Sequence, residues 1–530
     1  MRIDRRQVLG LLGLGAAAPA AASGSGVRFQ HGVASGDPTQ SKVVLWTRIT
    51  PDKAGEEVPY TWELLPIDRR AGGVKRGVGV TGPDRDYTVK VDATGLDAGR
   101  AYTFEFEAAG VKSPMGRTRT LPAGATQDVV LAVASCSLYP NGYFNAYQAI
   151  ADLPRVDVVL HLGDYIYEYG GPDSYGMNSA VAAERPHDPD YEIVSLADYR
   201  RRHAQYKTDP DLQAAHAAAP WAVVFDDHEI ENNWADEVPE RPDPDFLARR
   251  AAAFQAYYEN LPLRRSSIPR GIDMQLYRRL RWGRLATFHL LDTRQYRDDQ
   301  GCNDGYKDCP AALDPARSIT GAEQEEWLLD GFHRSTARWD VLGQQVFFGQ
   351  RDSNRGPMTV VSMDAWDGYA ASRDRITRGW VEAGVRNPVV LTGDVHAHWA
   401  DELKLDYADP TSRTVGSELV CSSITSTGDG VDVVGGNHPW AAWNPHLRFY
   451  NNQRGYVRTT ITADSLTADF QVVPYVTRPG APVHTRATFL IEDRVPGLQR
   501  IADNPTPGSP STLATDDLGE ATVRQETERP

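Results

Sequence analysis

Hydrophobic residues follow two regimes along this chain. From residue 27 to residue 121 they alternate with polar ones in short runs: Tyr102, Phe104 and Phe106 fall on one side, Thr103, Glu105 and Glu107 on the other. That period of two is the mark of a half-buried strand. Residues 42–48 and 87–91 read as further strands, and residues 95–100 as a turn leading into Tyr102. Short strands separated by turns predict a β-sandwich over residues 27–121.

After a Pro/Gly/Ala linker at residues 122–126 the pattern changes. Unbroken apolar runs now alternate with stretches of helical period, predicting helices at residues 142–152, 196–206 and 245–258 and another starting near residue 321. There Thr320 and Glu323 predict a capping box. Such alternation implies a layered α/β domain, assigned to residues 127–475. Residues 476–502 read as a carboxyl-terminal extension. Residues 503–530, rich in Pro, Ser, Thr and acids with almost no apolar period, predict a disordered tail.

Four of the apolar runs end in the same way. Residues 158–162 stop at Gly163 and are followed by Asp164 and Tyr167; residues 221–225 run into Asp227 and His228; residues 388–392 run into Asp394, His396 and His398; residues 129–134 run into Cys136. A short apolar run closed by Gly is a core strand, and side chains just past its carboxyl end project where open α/β sheets place ligands. A single such end reads equally well as a polar turn; four together point to one rim of ligating groups. His161, inside its apolar run, reads as a core histidine and is left out.

Composition narrows the picture. A chain of 530 residues is too long for one ordinary core, so two domains are expected, one of them large. The net charge of −15 argues against a stable nucleic-acid or anionic-membrane partner. An anionic substrate stays possible, because bound cations reverse the local field. A monomer is expected.

Residues 1–22 read as a twin-arginine signal peptide: Arg5 and Arg6 precede an apolar stretch, and Ala20 to Ala22 offer a cleavage site. The rival, a membrane anchor, needs a longer and less Gly/Ala-rich core. The protein is therefore expected outside the cytoplasm, secreted or held in the periplasm or cell wall, with the twin-arginine export machinery as a partner. Cys302 and Cys309 bracket a polar loop, and in an exported chain that spacing favours a disulfide over free thiols. Cys421 reads as packing.

Carboxylates, imidazoles, a thiol and a phenol on one rim form a mixed donor set. Hard oxygens suit Ca2+, Mg2+ or Fe3+, imidazole suits Zn or Fe, and a thiolate is foreign to a pure calcium cage. Two unlike metals are expected, with Asp164 as the bridge. Such a pair clamps the attacking and leaving oxygens of displacement at phosphorus.

At this point the sequence resembles the PhoD-type alkaline phosphatases, metallophosphoesterases related to the purple acid phosphatases. The resemblance rests on Gly163-Asp-x-x-Tyr167, on Asp227-His228 and on Gly393-Asp-Val-His396. It also rests on residues 32–38, Leu45-Trp-Thr-Arg48, Leu291-Asp-Thr-Arg294, residues 363–369 and Asn452-Gln-Arg-Gly455, and it covers roughly residues 28–475. It implies an amino-terminal immunoglobulin/fibronectin-like β-sandwich, with Tyr102 at a tyrosine corner, followed by a metallophosphoesterase-type layered αββα domain.

It also implies a phosphomonoesterase or phosphodiesterase using Fe3+ with Ca2+. Cys136, Asp164, Tyr167 and His396 would hold iron, and Asp164, Asp227 and Asp394 calcium, with Glu231, Asn232 or Asn233 near a second calcium. His398 could exchange roles with His396. His228 is the candidate to protonate the leaving alkoxide, its alternative being a packed histidine held by Glu229 or Glu231. Arg373 could clamp a phosphate, as could Arg375, or both could sit in a salt-bridged helical face. Two other functions stay open: a diesterase specialised for one substrate, such as a phospholipase D-like enzyme, and a non-catalytic extracellular binding module.

Overall fold

The computed structural model describes residues 26–68, 73–171, 174–176 and 180–511. The signal-peptide expectation at residues 1–22, and the tail expectation from residue 512 on, lie outside the described residues.

Two large sheets carry the fold. One has ten strands in the order Gln499–Asp503, His484–Glu492, Ser465–Val472, Gly455–Thr462, Asp128–Ala134, Val158–Leu162, Trp221–Val224, Val33–Gly36, Lys42–Arg48 and Thr88–Thr94. Its middle, Asp128–Ala134, Val158–Leu162 and Trp221–Val224, is parallel. These three strands are buried almost throughout, which is why they read as continuous apolar runs. The other sheet has seven strands, with Ala286–Leu290, Trp339–Gly343, Pro388–Thr392 and Thr414–Val420 running parallel through it.

The two sheets face each other across a shared core that includes Leu131, Val159 and Leu162 from one and Phe288, Val341 and Leu391 from the other. Helix Phe246–Asn260 adds Phe246 and Phe254 to this core, and helix Asn145–Ala151 adds Tyr147 and Ile150. On the far side, helices Gly321–Arg334 and Ala370–Glu382 pack Leu328, Phe332, Ile376 and Trp380 against Leu342, Val390 and Leu403. The result is the expected αββα layering.

The amino-terminal sandwich has a separate core of Val43, Leu45, Val89, Leu64, Phe104 and Phe106. One of its sheets holds Gly116–Arg119, Ala101–Ala108, Val58–Pro66 and Lys75–Thr81. Tyr102 makes its corner, its hydroxyl accepting the Asp97 amide proton at 3.0 Å. Its other sheet is not its own. Val33–Gly36 joins Trp221–Val224 through the pair Gly36 and Trp221, so these strands extend the large sheet. The linker at residues 122–126 thus divides the chain but not the sheet.

Two local expectations need correction. The tail boundary at residue 503 falls at the end of a strand, and beyond it Thr506 and Ser509 both bond the Asp432 carboxylate. Residues 476–502, read as a carboxyl-terminal extension, contribute the two outermost strands on one side of the large sheet. Thr320 precedes helix Gly321–Arg334 with helical rather than extended backbone angles, so its side chain makes no cap. The capping box occurs instead at Ser195 and Asp198, before helix Leu196–Tyr206.

Candidate metal centre

The four strand ends meet at one rim. At three of them non-glycine residues adopt left-handed backbone: Cys136 at φ 60°, Asp164 at 54°, Asp394 at 64° and His396 at 52°. Such angles are uncommon away from glycine and persist where surrounding structure enforces them. Two glycines make the close approach possible. A Cβ on Gly393 would lie 2.7 Å from Ser135 Oγ, and one on Gly163 would lie 2.4 Å from the Asp226 Cβ.

Two donor clusters result: Cys136 with Asp164 and His396, and Asp164 with Asp227 and His228, each with one ligand atom per residue within 4.8 Å of the others. Asp164 belongs to both. The Tyr167 hydroxyl joins the first, donating to Asp164 Oδ2 at 2.9 Å and lying 3.2 Å from His396 Nε2. Around it, Ser426 Oγ donates to the Tyr167 oxygen at 2.7 Å, and Thr427 Oγ1 lies 2.8 Å from His396 Nδ1. Such outer contacts fix a ligating histidine's orientation.

Burial, then the charges of Asp227, Asp226 and Glu229, pushes the Asp164 carboxyl well up against the pull of His228. Burial and Asp164 push the Cys136 thiol and the Tyr167 phenol up as well. Asp164 Oδ1, Asp226 Oδ2 and Asp227 Oδ1 are buried without a hydrogen-bond partner. Buried acids crowded together with orphaned oxygens are what bound cations would relieve, and the donor set of O, N and S fits them.

His228 stacks on Tyr167 with centroids 4.2 Å apart. Its Nδ1 meets Glu168 Oε2 at 2.8 Å. Burial opposes a charge on this ring, yet Asp227, Glu168 and Asp164 together carry its pKa well above the usual range. The acid that holds it is neither of the two expected. Glu229 accepts the amide protons of Asp164, Tyr165 and Asp226 and so pins the two strand ends to each other, while Glu231 pairs with Arg249. Glu168 was missed although it follows Tyr167 directly; its position beside a rim residue was the available signal.

Two expected site residues lie elsewhere. His396 faces the rim from left-handed backbone ahead of the strand, whereas His398 starts strand His398–Lys404 with Nδ1 accepting the Ser422 amide proton at 3.0 Å and its ring edge-on to Phe470, buried in the core. Arg373 is 3% exposed. Its guanidinium is buried against Asp367 at 2.5 Å and the Phe348 carbonyl, and it does not line the cavity beside the rim. Arg375 likewise pairs with Glu325. Cys302 and Cys309 are joined in a disulfide.

Asp227, Asp394 and His228 line an open cavity of about 650 Å³. A family model described as PhoD-like phosphatase matches residues 131–470, and one described as PhoD-like phosphatase, N-terminal domain, matches residues 15–122. The chain belongs to the PhoD-like phosphatase family. Alkaline phosphatase D of Bacillus subtilis (strain 168) is 44% identical over 500 residues, which cover 92% of this chain and 85% of that one. The solved structure of PhoD matches with a TM-score of 0.88 at 42% identity, covering 94% of this chain and 97% of its own.

This PhoD-like phosphatase is thus a hydrolase of phosphate esters, which sets aside the non-catalytic binding module. The family motifs away from the rim now have a place. Arg294 donates from Nε to Asp226 Oδ1 at 2.6 Å and forks onto both oxygens of Asp364 at 2.7 Å. Burial works against the Asp364 charge, but Arg294 and Arg297 hold its pKa well below the usual carboxylate range. This fully buried ion pair braces the segment bearing Asp226 and Asp227 from behind.

Proposed function

We propose that this PhoD-like phosphatase is an exported, metal-dependent phosphomonoesterase and phosphodiesterase that works with Fe3+ and Ca2+. The observation that carries the reading is the sharing of Asp164 between two donor clusters of different chemistry. Cys136, Asp164, Tyr167 and His396 would hold iron, since thiolate, phenolate and imidazole suit it; Asp164, Asp227 and Asp394 would hold calcium. Bound there, the cations supply hydroxide at ordinary pH and positive charge for the phosphoryl oxygens.

The chain's own groups do the rest. Glu168, accepting at His228 Nδ1, fixes the ring so that Nε2 carries the proton to be delivered. Stacking on Tyr167 keeps the ring from turning away. Its proton goes to the leaving alkoxide, so that a monoester gives phosphate and an alcohol and a diester gives a phosphomonoester and an alcohol. Asn233 steadies Asp227 by donating its amide proton to Oδ2 at 2.8 Å. Export through the twin-arginine machinery and action as a monomer outside the cytoplasm complete the reading. Among the described residues no helix is long and apolar enough to cross a membrane.

Elemental analysis of exported, never-chelated protein with a visible absorption scan tests this directly. Iron with calcium and a phenolate-to-Fe3+ band is the expected result. Zinc or manganese without colour overturns the iron assignment; absence of metal overturns the mechanism.

A further inference from the structure

One wall of the cavity is a loop whose role the reaction so far leaves open. Asp299, Gln300, Asn303 and Asp304 line the cavity, and the disulfide Cys302–Cys309 closes the loop behind them. Cys302, Asn303 and Asp304 have φ of 59°, 66° and 58°, followed by Gly305 at 71°. Three successive non-glycine residues in left-handed backbone need an outside constraint. The constraint here is double. The disulfide ties the loop's ends, and residues Tyr306–Lys307 pair with Val361–Ser362 while Met363 donates its amide proton to the Gly305 carbonyl at 2.9 Å.

The backbone so held presents the Asp304 carboxylate to the rim. Asn233 Nδ2 donates to Asp304 Oδ2 at 2.8 Å, and the Asn233 amide donates to Asp227 Oδ2. Gln300 Nε2 closes the arrangement, donating to the Asn233 carbonyl at 2.7 Å and to Asp364 Oδ1 at 2.8 Å. Asn233 is itself left-handed, at φ 49°. Its conformation is therefore held by Asp304 of the disulfide loop, by Gln300 just ahead of that loop and by Asp227.

We propose that Asp304 is a positioning residue, held over the cavity by the Cys302–Cys309 clasp, which fixes Asn233 and through it the Asp227 carboxylate. The inference rests on the reading of Asp227 as a cation ligand. Opening the clasp frees the loop, withdraws the acceptor from Asn233 and lets Asp227 turn from its working orientation. The clasp thereby couples the site to an oxidising environment: the enzyme matures fully only where the disulfide forms.

The test uses the exported, metal-loaded enzyme as Asp304→Ala, Asp304→Asn and the double variant Cys302→Ser/Cys309→Ser. Three quantities are measured: hydrogen exchange of the Asn233 backbone amide, loss of calcium to EGTA followed by elemental analysis, and kcat and KM for an aryl phosphate. Asp304→Ala and the double serine variant are expected to speed Asn233 exchange and calcium loss roughly tenfold and to lower kcat by a similar factor. Asp304→Asn, which keeps an acceptor oxygen for Asn233, is expected to stay close to the parent. Adding Asp304→Ala to the double serine variant is expected to change little more, because both act through one contact.

Unchanged Asn233 exchange in Asp304→Ala overturns the proposal, as do equal losses in Asp304→Asn and Asp304→Ala, or losses that add. If the double serine variant does not fold, the contrast between alanine and asparagine at 304 decides alone. A parent enzyme without calcium sinks the cation assignment of Asp227, whereas Asn233 exchange still decides for or against the clasp.

Discussion

The seven-stranded sheet carries two kinds of buried acid. At the end of strand Pro388–Thr392 stands Asp394, in the rim with Asp164 and Asp227; inside the sheet Asp401 and Glu418 sit directly opposite each other on paired strands. Burial pushes the carboxyls up in both places. Asp401 is raised well above its usual range by burial and by Glu418, and Glu418 is pushed up to about 7 by burial. The surroundings differ. Glu418 is closed off by the amides of Phe348 and Gly349, at 2.9 and 2.7 Å, and by Thr392 Oγ1. Among the described residues, no thiol and imidazole join it in a donor cluster as Cys136 and His396 join Asp164 beside the open cleft. Like charges forced together are relieved by a proton inside the sheet; at the rim, under the function proposed, cations would relieve them. Crowded carboxylates alone do not identify a metal site; mixed donors opening on a cavity do.

Removing the shared rim carboxylate should give the largest effect. Asp164→Asn is expected to abolish phosphate-ester hydrolysis and to deplete both metals, read by activity assay with elemental analysis; retention of both metals and activity would end the bridging role. His228→Ala comes next, with a loss on the order of 10² to 10⁴ for alkyl esters and a much smaller one for activated aryl esters, whose leaving groups need no proton. Equal losses for the two substrate classes would remove the acid role. Arg373→Met should leave KM untouched and cost about 3–5 kcal/mol of stability by stranding Asp367, measured by denaturant unfolding. A raised KM at full stability would restore it to the phosphate.

The smallest effect belongs to the interior pair. A carboxyl whose folded pKa is raised binds its proton more tightly when folded, so its stabilisation is complete below the unfolded value, about 4.3, and is lost as pH rises to about 7. Glu418→Gln cannot lose a proton. Its melting temperature should therefore gain on the parent's across that range, with activity unaltered; parallel melting curves would show that the pair carries no such proton.

The strand ends were legible because each is a local pattern: an apolar run, then Gly or Asp, then a ligand type. Tyr102 and helix Leu196–Tyr206 were legible for the same reason. What stayed hidden depends on partners far along the chain. Glu168 gains meaning only when His228 is brought onto Nδ1 contact, and Arg294 only when Asp226 and Asp364 close on it from two other segments. Arg373 and His398 were misplaced because sequence shows that a helix or strand passes near the rim but not which way each side chain faces. The continuity of the two domains through one sheet hangs on a single backbone pair, Gly36 with Trp221, which no periodicity announces.

The strand leading to Cys136 lies between Val158–Leu162, made soon after it, and Gly455–Thr462, made near the end of translation. Carbonyl groups at Ser135 and Cys136 also accept the amide proton of Ile424. On the ribosome, then, the thiol's side of the pocket stays unfinished until almost the whole polypeptide has emerged. A chain cut short before Gly455–Thr462 lacks the strand that flanks Asp128–Ala134 on that side and presents an open edge there.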